Sequence, residues 1–241
     1  MTDVLYVVRG DSEELRFSLR SLAKYASNVG RIVVAGTDLP KWLSDEVVRL
    51  EVPSPYDRKQ KNILFAVLLA MRSGLLPKPA LYSSDDHYLT APMDFDAYPW
   101  FVRPYGYPSF ADNAWRMSIL MTGELLRKNR MPCSHRYDGH WNTHVDVADL
   151  PVVERLVSGY ERTTFGYEPT SLFVAAAVVR GAAPPHPVPK GDMKLKVDSG
   201  DFAAVAASNG GMISASKFKQ LPRFRKWLVG MFPEPCRWEK S

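Results

Sequence analysis

The 241-residue chain has two cysteines, Cys133 and Cys236. That is too few for a disulfide framework, and their separation suits neither a zinc knuckle nor a redox pair, so a reducing cytoplasm is the expected setting. Long hydrophobic runs are missing as well. The longest, Ile63 to Met71, stops at Arg72, far short of the roughly 18 residues a bilayer span requires, and no membrane association is expected. The opening Met-Thr-Asp-Val-Leu-Tyr lacks the basic start, apolar stretch and cleavage site of a secretory leader. No internal repeat is visible. Charge is nearly balanced, with 31 Lys and Arg against 26 Asp and Glu. With 46% hydrophobic and 24% charged residues, the composition excludes disorder, collagen and coiled-coil rods and leaves a globular domain.

Within that composition the first third alternates two periods, the pattern of a sheet covered by helices. Residues 3–8 and 31–35 read as buried strands, 47–52 as a shorter one, and 80–83 as a further central strand. Between them, Asp11 with Glu14 three residues on predicts a capped helix whose Leu15, Leu19, Leu22 and Ala26 share one face. Residues 58–73 predict a second helix, broken by Gly74 and Pro77. Strands joined through helices predict largely parallel pairing, and ligands of such sheets bind at the carboxyl ends of the strands. Arg9, Gly36, Thr37, Asp85 and Asp86 would lie on that edge. The remainder is less regular: an aromatic and proline-rich stretch at 98–110, a helix at 112–128, a His-rich segment near 135–144, a short helix at 151–157, a buried helix or strand at 170–179, and a proline-rich crossing at 183–189. The whole reads as one domain, residues 1–95 forming a nucleotide or donor half and 96–241 an acceptor half.

The chemistry-bearing residues divide by charge. Asp85 and Asp86 follow the last central strand, and paired carboxylates there suit magnesium or manganese, hard cations that could neutralise a diphosphate leaving group. The same pair could equally form a turn or a cap. Arg9 is placed to meet a donor phosphate or base, whereas Arg16 and Arg20 are on a helix and at least one of them belongs to its solvated face. Arg58, Lys59 and Asn62 open the second helix, whose N-terminus attracts anions. His140, Asn142, His144 and Asp146 alternate along an expected strand and would share one face, where they could complete a metal shell or contact phosphates. Asp112 is the candidate base for an inverting transfer, or else the cap of the helix after it. Trp115 and the aromatics of 100–110 could stack on a sugar, or pack as core. Finally, residues 214–227 carry Lys217, Lys219, Arg223, Arg225 and Lys226 among Phe218, Phe224 and Trp227 with no acid. They account for the entire net charge of +5. This segment could bind a phosphate backbone and stacked bases, or be an amphipathic helix that packs its aromatics.

Several segments resemble a known family. Asp3-Val-Leu-Tyr-Val-Val-Arg-Gly-Asp followed by Glu14-Leu-Arg-Phe-Ser-Leu-Arg-Ser-Leu, then Leu81-Tyr-Ser-Ser-Asp-Asp-His-Tyr-Leu, then Lys190-Gly-Asp-Met-Lys and the closing Phe232-Pro-Glu-Pro-Cys-Arg-Trp-Glu are similar to segments of Stealth-type sugar-phosphate transferases and of small glycosyltransferase-like proteins of bacteriophages. Ser84 and Cys236 depart from the pattern without removing a metal ligand. The resemblance implies a GT-A-like, Rossmann-like mixed α/β sheet flanked by helices and a nucleotide-sugar donor such as a UDP-sugar. It also implies Asp86 as a direct ligand of manganese or magnesium, Asp85 binding metal or donor, and His144 as the best of the histidines. The expected function is metal-dependent transfer of a sugar to a hydroxyl, with 5-hydroxymethylpyrimidine in phage DNA as a candidate acceptor and the host cytoplasm as its location. The alternatives are a sugar-phosphate transfer to a glycan and a non-catalytic nucleic-acid-binding protein. No obligate protein partner is inferred.

Overall fold

The computed structural model describes residues 1–104, 114–132, 135–137, 142–182, 186–187, 195, 198, 200–215 and 218–240. Along the chain run β1 (Thr2–Arg9), α1 (Glu13–Tyr25), β2 (Ala26–Ser27), β3 (Val29–Thr37), β4 (Val47–Glu51), α2 (Lys59–Arg72), β5 (Ala80–Ser83), β6 (His87–Leu89) and β7 (Met93–Asp94). There follow β8 (Phe101–Pro104), α3 (Ala114–Lys128), β9 (His135–Tyr137), β10 (Thr143–Val145), α4 (Leu150–Leu156), α5 (Pro169–Val179), β11 (His186–Pro187), α6 (Phe202–Ser208), β12 (Met212–Ser214) and α7 (Pro222–Met231).

The alternation of apolar residues along β1 decides the architecture. Val4, Tyr6 and Val8 point to one face of the sheet and Leu5 and Val7 to the other; β3 repeats this with Ile32 and Val34 against Val33 and Ala35. Strands apolar on both faces need helices on both sides. Leu15, Leu19 and Leu22 of α1 cover one face, while Leu64, Val67 and Met71 of α2 and Leu172 and Phe173 of α5 cover the other. Each such buried side chain contributes about 2 kcal/mol. The central sheet has the order β10-β5-β1-β3-β4, parallel except for the edge strand β10, which runs antiparallel to β5. The chain moves outward from β1 to β3 and β4, then crosses back to add β5 on the other side of β1. That reversal opens a crevice at the carboxyl ends of β1 and β5.

A polar stripe on α1 fixes how it sits. The Ser18 hydroxyl donates to the His87 carbonyl at 2.7 Å, so the 2.9 Å contact of Ser18 Oγ with Tyr6 must be donated by the phenol. One turn on, Leu89 N donates to Ser21 Oγ at 3.0 Å. These bonds lock α1 against β6 and satisfy two serines that burial would otherwise penalise. At the far end of α1, Arg20 forks onto the buried Glu239 at 2.6 and 2.9 Å and donates to the Phe232 carbonyl, so the chain's closing segment is tied back to the first helix. Arg16 lies 3.5 Å from the same carboxylate and over the Trp42 ring.

Two expectations are corrected, the α1 cap and the strand over 140–146, and two open alternatives are decided. The cap of α1 is Ser12, whose Oγ accepts from Leu15 N at 3.1 Å; Asp11 instead accepts from Trp42 Nε1 at 2.6 Å. Residues 170–179 resolve as helix, with Glu168 as the cap of α5. The expected strand over 140–146 is only Thr143–Val145 where described. The basic segment contributes a short 3-10 turn at Phe218–Gln220 and the start of the amphipathic α7: Phe218 of the turn and Phe224 of the helix are buried with Phe17, Tyr88 and Phe202 in a third core cluster, so neither is open to stack on a nucleobase. Among the described residues no helix is long and apolar enough to cross a membrane.

Glu239→Ala should leave the Arg20 guanidinium without its carboxylate and free the closing segment, lowering stability by about 2–3 kcal/mol. The denaturant midpoint measures this; a midpoint equal to that of the unsubstituted chain would refute the docking role.

Candidate functional site

The crevice is a cleft of about 450 Å³ lined by Val8 and Arg9 at the end of β1, Gly36 in β3, Pro53, Ser54, Tyr56 and Asp57 after β4, Lys59 and Asn62 in the first turn of α2, and Asp85 after β5. That volume falls within the range of about 300–1,000 Å³ usual for small-molecule sites. Of the residues expected at the strand ends, Arg9, Gly36 and Asp85 line this cleft and Thr37 and Asp86 do not, and Lys59 and Asn62 join them from the start of α2.

Each owes its place to a local cause. A Cβ at Gly36 would lie 1.8 Å from the Val8 carbonyl oxygen, so β1 and β3 meet at the cleft at a distance only glycine permits. The Thr37 hydroxyl donates to the Val52 carbonyl at 2.5 Å and so accepts from Ser54 Oγ at 2.9 Å, stapling the loop between β4 and α2. Asn62 also serves this loop, its Oδ1 accepting from Tyr56 N at 3.0 Å and its Nδ2 donating to the Tyr56 carbonyl at 2.8 Å. Thr37 and Asn62 shape the wall rather than offer free groups. Arg58 sits before α2, 3.6 Å from Asp57 and over the Phe165 ring, outside the lining. The Arg9 side chain is exposed and has no hydrogen bond or ion pair among the described residues.

Across the cleft stands the acidic turn joining β5 to β6. Asp85 is half-buried, its Oδ2 accepting from Ser12 Oγ at 2.9 Å. Desolvation, then the neighbouring charge of Asp86, pushes its pKa up to about 6, while the Ser12 hydrogen bond and the Lys59 charge pull it back. Asp86 Oδ1 lies 3.9 Å from Nε2 of the buried His87, whose Nδ1 contacts Asn142 Oδ1 at 3.2 Å. Among the described residues no three His, Cys, Asp or Glu side chains gather to hold a metal. Two adjacent carboxylates, one of them with its pKa raised by burial and then by the other's charge, nevertheless fit a hard divalent cation, which takes one or two protein carboxylates and completes its shell with ligand phosphates and water.

The expected histidine row does not converge. His144 Nε2 donates to the Tyr98 carbonyl at 2.8 Å, and the ring stacks on Trp100 at 4.5 Å, leaving Nδ1 as its nitrogen with a lone pair. Burial lowers its pKa and favours the neutral form. Asn142 is taken by His87, and Asp146 by Arg180 at 2.7 Å. His140, Asp112 and Lys217 lie outside the described residues. Trp115 is exposed in the first turn of α3. In the basic segment Lys219 and Lys226 are exposed, Arg223 N donates to Asp198 at 2.8 Å, and Arg225 is matched by Glu13 at 2.6 Å. The cleft residues missed from the sequence are Ser54, Tyr56, Asp57 and, behind Asp85, Ser12. The signal available for the first three was their position directly after a strand on the edge already marked by Gly36.

No family model matches this sequence, nor does any curated protein. Solved structures do match. The apo structure of the bifunctional glycosyltransferase WbbM matches with a TM-score of 0.52 over 88% of this chain at 10% identity. The galactosyltransferase LgtC, in complex with donor and acceptor sugar analogues, matches with a TM-score of 0.53 over 98% of this chain at 9% identity. The fold is that of GT-A-type glycosyltransferases. The chain spans 45% of WbbM and 98% of LgtC. At such identities the likeness carries the architecture, which is the mixed, parallel-rich sheet expected from the sequence; residue roles are argued from this chain's own geometry.

The raised pKa of Asp85 has a measurable sign. In metal-free buffer the folded chain holds this proton up to about pH 6, whereas an unfolded aspartate loses it near about pH 4. The contribution of Asp85 to stability therefore falls as pH rises through that window. Asp85→Asn should remove the slope, raising Tm by about 2–4 °C at about pH 7 and by nothing near pH 4. A difference in Tm that stays flat across the window would overturn this account of the acidic turn.

Proposed function

We propose that the chain transfers a sugar from a nucleotide diphosphate sugar, a UDP-sugar first of all, to an acceptor hydroxyl. The observation that carries the proposal is the polarity of the cleft: two cations, Arg9 and Lys59, share it with a carboxylate turn at the reversal point of a GT-A-type sheet. Phosphates need the first and a bound divalent cation needs the second.

In this reading Tyr56 offers a ring and Ser54 a hydroxyl to the nucleoside, while Arg9 and Lys59 hold diphosphate oxygens by charge-assisted hydrogen bonds. Gly36 keeps the floor low enough for the ligand to lie against backbone. Asp86 and Asp85 would hold manganese or magnesium, which when bound supplies Lewis-acid stabilisation of charge on the diphosphate. His144 is retained as a further ligand only through Nδ1. If the transfer inverts, Asp112 takes the proton of the attacking hydroxyl. The acceptor is proposed no further than a hydroxyl-bearing molecule. For 5-hydroxymethylpyrimidine DNA, the basic segment retains Lys219, Arg223 and Lys226 at its surface, since Glu13 neutralises Arg225 and the phenylalanines are core.

Thermal-shift titration with nucleotide sugars, with and without manganese, tests the reading, because binding to the folded state alone raises Tm. We expect a metal-dependent shift that Asp86→Ala abolishes, and about tenfold weaker binding, about 1.4 kcal/mol, in Arg9→Ala and in Lys59→Ala. Release of nucleoside diphosphate on turnover supports sugar transfer; nucleoside monophosphate assigns sugar-phosphate transfer instead. Hydroxymethylated DNA and glycans serve as parallel acceptors. No shift with any nucleotide sugar, with or without manganese, would overturn the proposal.

A further inference from the structure

We infer that Ser12 is a positioning residue for the acidic turn, holding the Asp85 carboxylate toward the cleft in addition to capping α1. The inference rests on the reading of Asp85 and Asp86 as the donor's diphosphate end, and concerns what sets that end in place.

Hydrogen accounting makes the case. The Ser12 side chain is buried, 6% exposed, and a hydroxyl has one proton to give and two lone pairs to offer. One lone pair accepts from Leu15 N at 3.1 Å, which is the cap. The proton goes to Asp85 Oδ2 at 2.9 Å; the other acceptor within reach, Glu14 Oε2, is at 3.5 Å, the limit of a useful bond. Asp85 receives no other hydrogen bond among the described residues. Its orientation therefore depends on a donor 73 positions away in sequence.

The bond also joins the two walls of the crevice. Ser12 lies three residues beyond Arg9, on the loop leaving β1, whereas Asp85 leaves β5, and these strands flank the reversal in chain direction across the sheet. A shift of the α1 start would move the phosphate-binding cation and release the carboxylate together. Such supporting hydrogen bonds hold a site's charged groups within the narrow tolerance that binding needs.

Capping and positioning can be separated by substitution. Ser12→Asp keeps an acceptor for Leu15 N but offers no proton and places like charge against Asp85. Ser12→Gly keeps a competent cap without any side chain, and serves where the aspartate variant fails to fold. Ser12→Thr preserves both functions. The probes are UDP, GDP and ADP, each with manganese, read by thermal shift and by calorimetric titration. We expect a wild-type Tm without ligand in the glycine and threonine variants, at least about tenfold weaker metal-dependent nucleotide binding in the aspartate and glycine variants, and recovery of binding in the threonine variant. Equal nucleotide binding by all folded variants would overturn the positioning role while leaving the donor site standing. Absence of binding by the unsubstituted chain would overturn the reading of the site, and this inference with it.

Discussion

The seating of α1 is the constraint on which the cleft depends. This helix has to cover one face of the parallel sheet with Leu15, Leu19 and Leu22, yet on its flank it carries Ser18 and Ser21, which cannot be buried without partners. Their partners are the His87 carbonyl and Leu89 N of β6. Because hydrogen bonds are directional, this choice fixes both the height and the rotation of α1 relative to β6. The acidic turn is the two residues immediately before β6, so its position is inherited from the same bonds. The closing segment adds to the arrangement from the other end of α1, where Glu239 brings Arg16 and Arg20 to one carboxylate.

What the sequence discloses and what it hides follow from the range of the interactions. Continuous apolar runs in β1, β3 and β5 reflect burial on both faces, a local pattern, and were legible together with the helices between them. The meeting of Arg9, Gly36 and Asp85 was legible because parallel strands place all their carboxyl ends on one edge, whatever the side chains do. The identity of the α1 cap was not legible, since Asp11 and Ser12 are both good caps. The choice between them is made by Trp42 claiming the first and Asp85 the second. The histidine row failed for a related reason. Alternation predicts a shared face only while the strand lasts, and β10 spans three residues, so Asn142 and Asp146 turn to His87 and Arg180. Asn62 was placed correctly but its role was not foreseen, because its partner is the backbone of Tyr56, which no side-chain pattern reveals.

Charge behaves in the same way. Five cations within residues 214–227 suggest a polyanion surface when counted along the chain, but pairing is decided in space. Arg225 meets Glu13 beside the start of α1, Arg31 meets Asp3, Arg72 meets Glu154, and Arg180 is forked by Asp146 and Asp149. Such pairs contribute little each at the surface, but every one removes a cation from those able to recruit a ligand.

Arg9 and Lys59 differ in that no ion pair among the described residues claims them, and both face a cleft whose opposite wall is acidic. Burial and the neighbouring charge of Asp86 both disfavour the ionised Asp85, raising its pKa, while the exposed side chains of Arg9 and Lys59 have no carboxylate partner among the described residues. A ligand that is anionic at one point and bridged to a divalent cation at another would pair with both walls, which a neutral sugar or a simple monoanion would not. The proposed metal-bound diphosphate has that polarity, and in the proposed reading its nucleoside would turn toward Tyr56 and its transferable group toward the acidic turn.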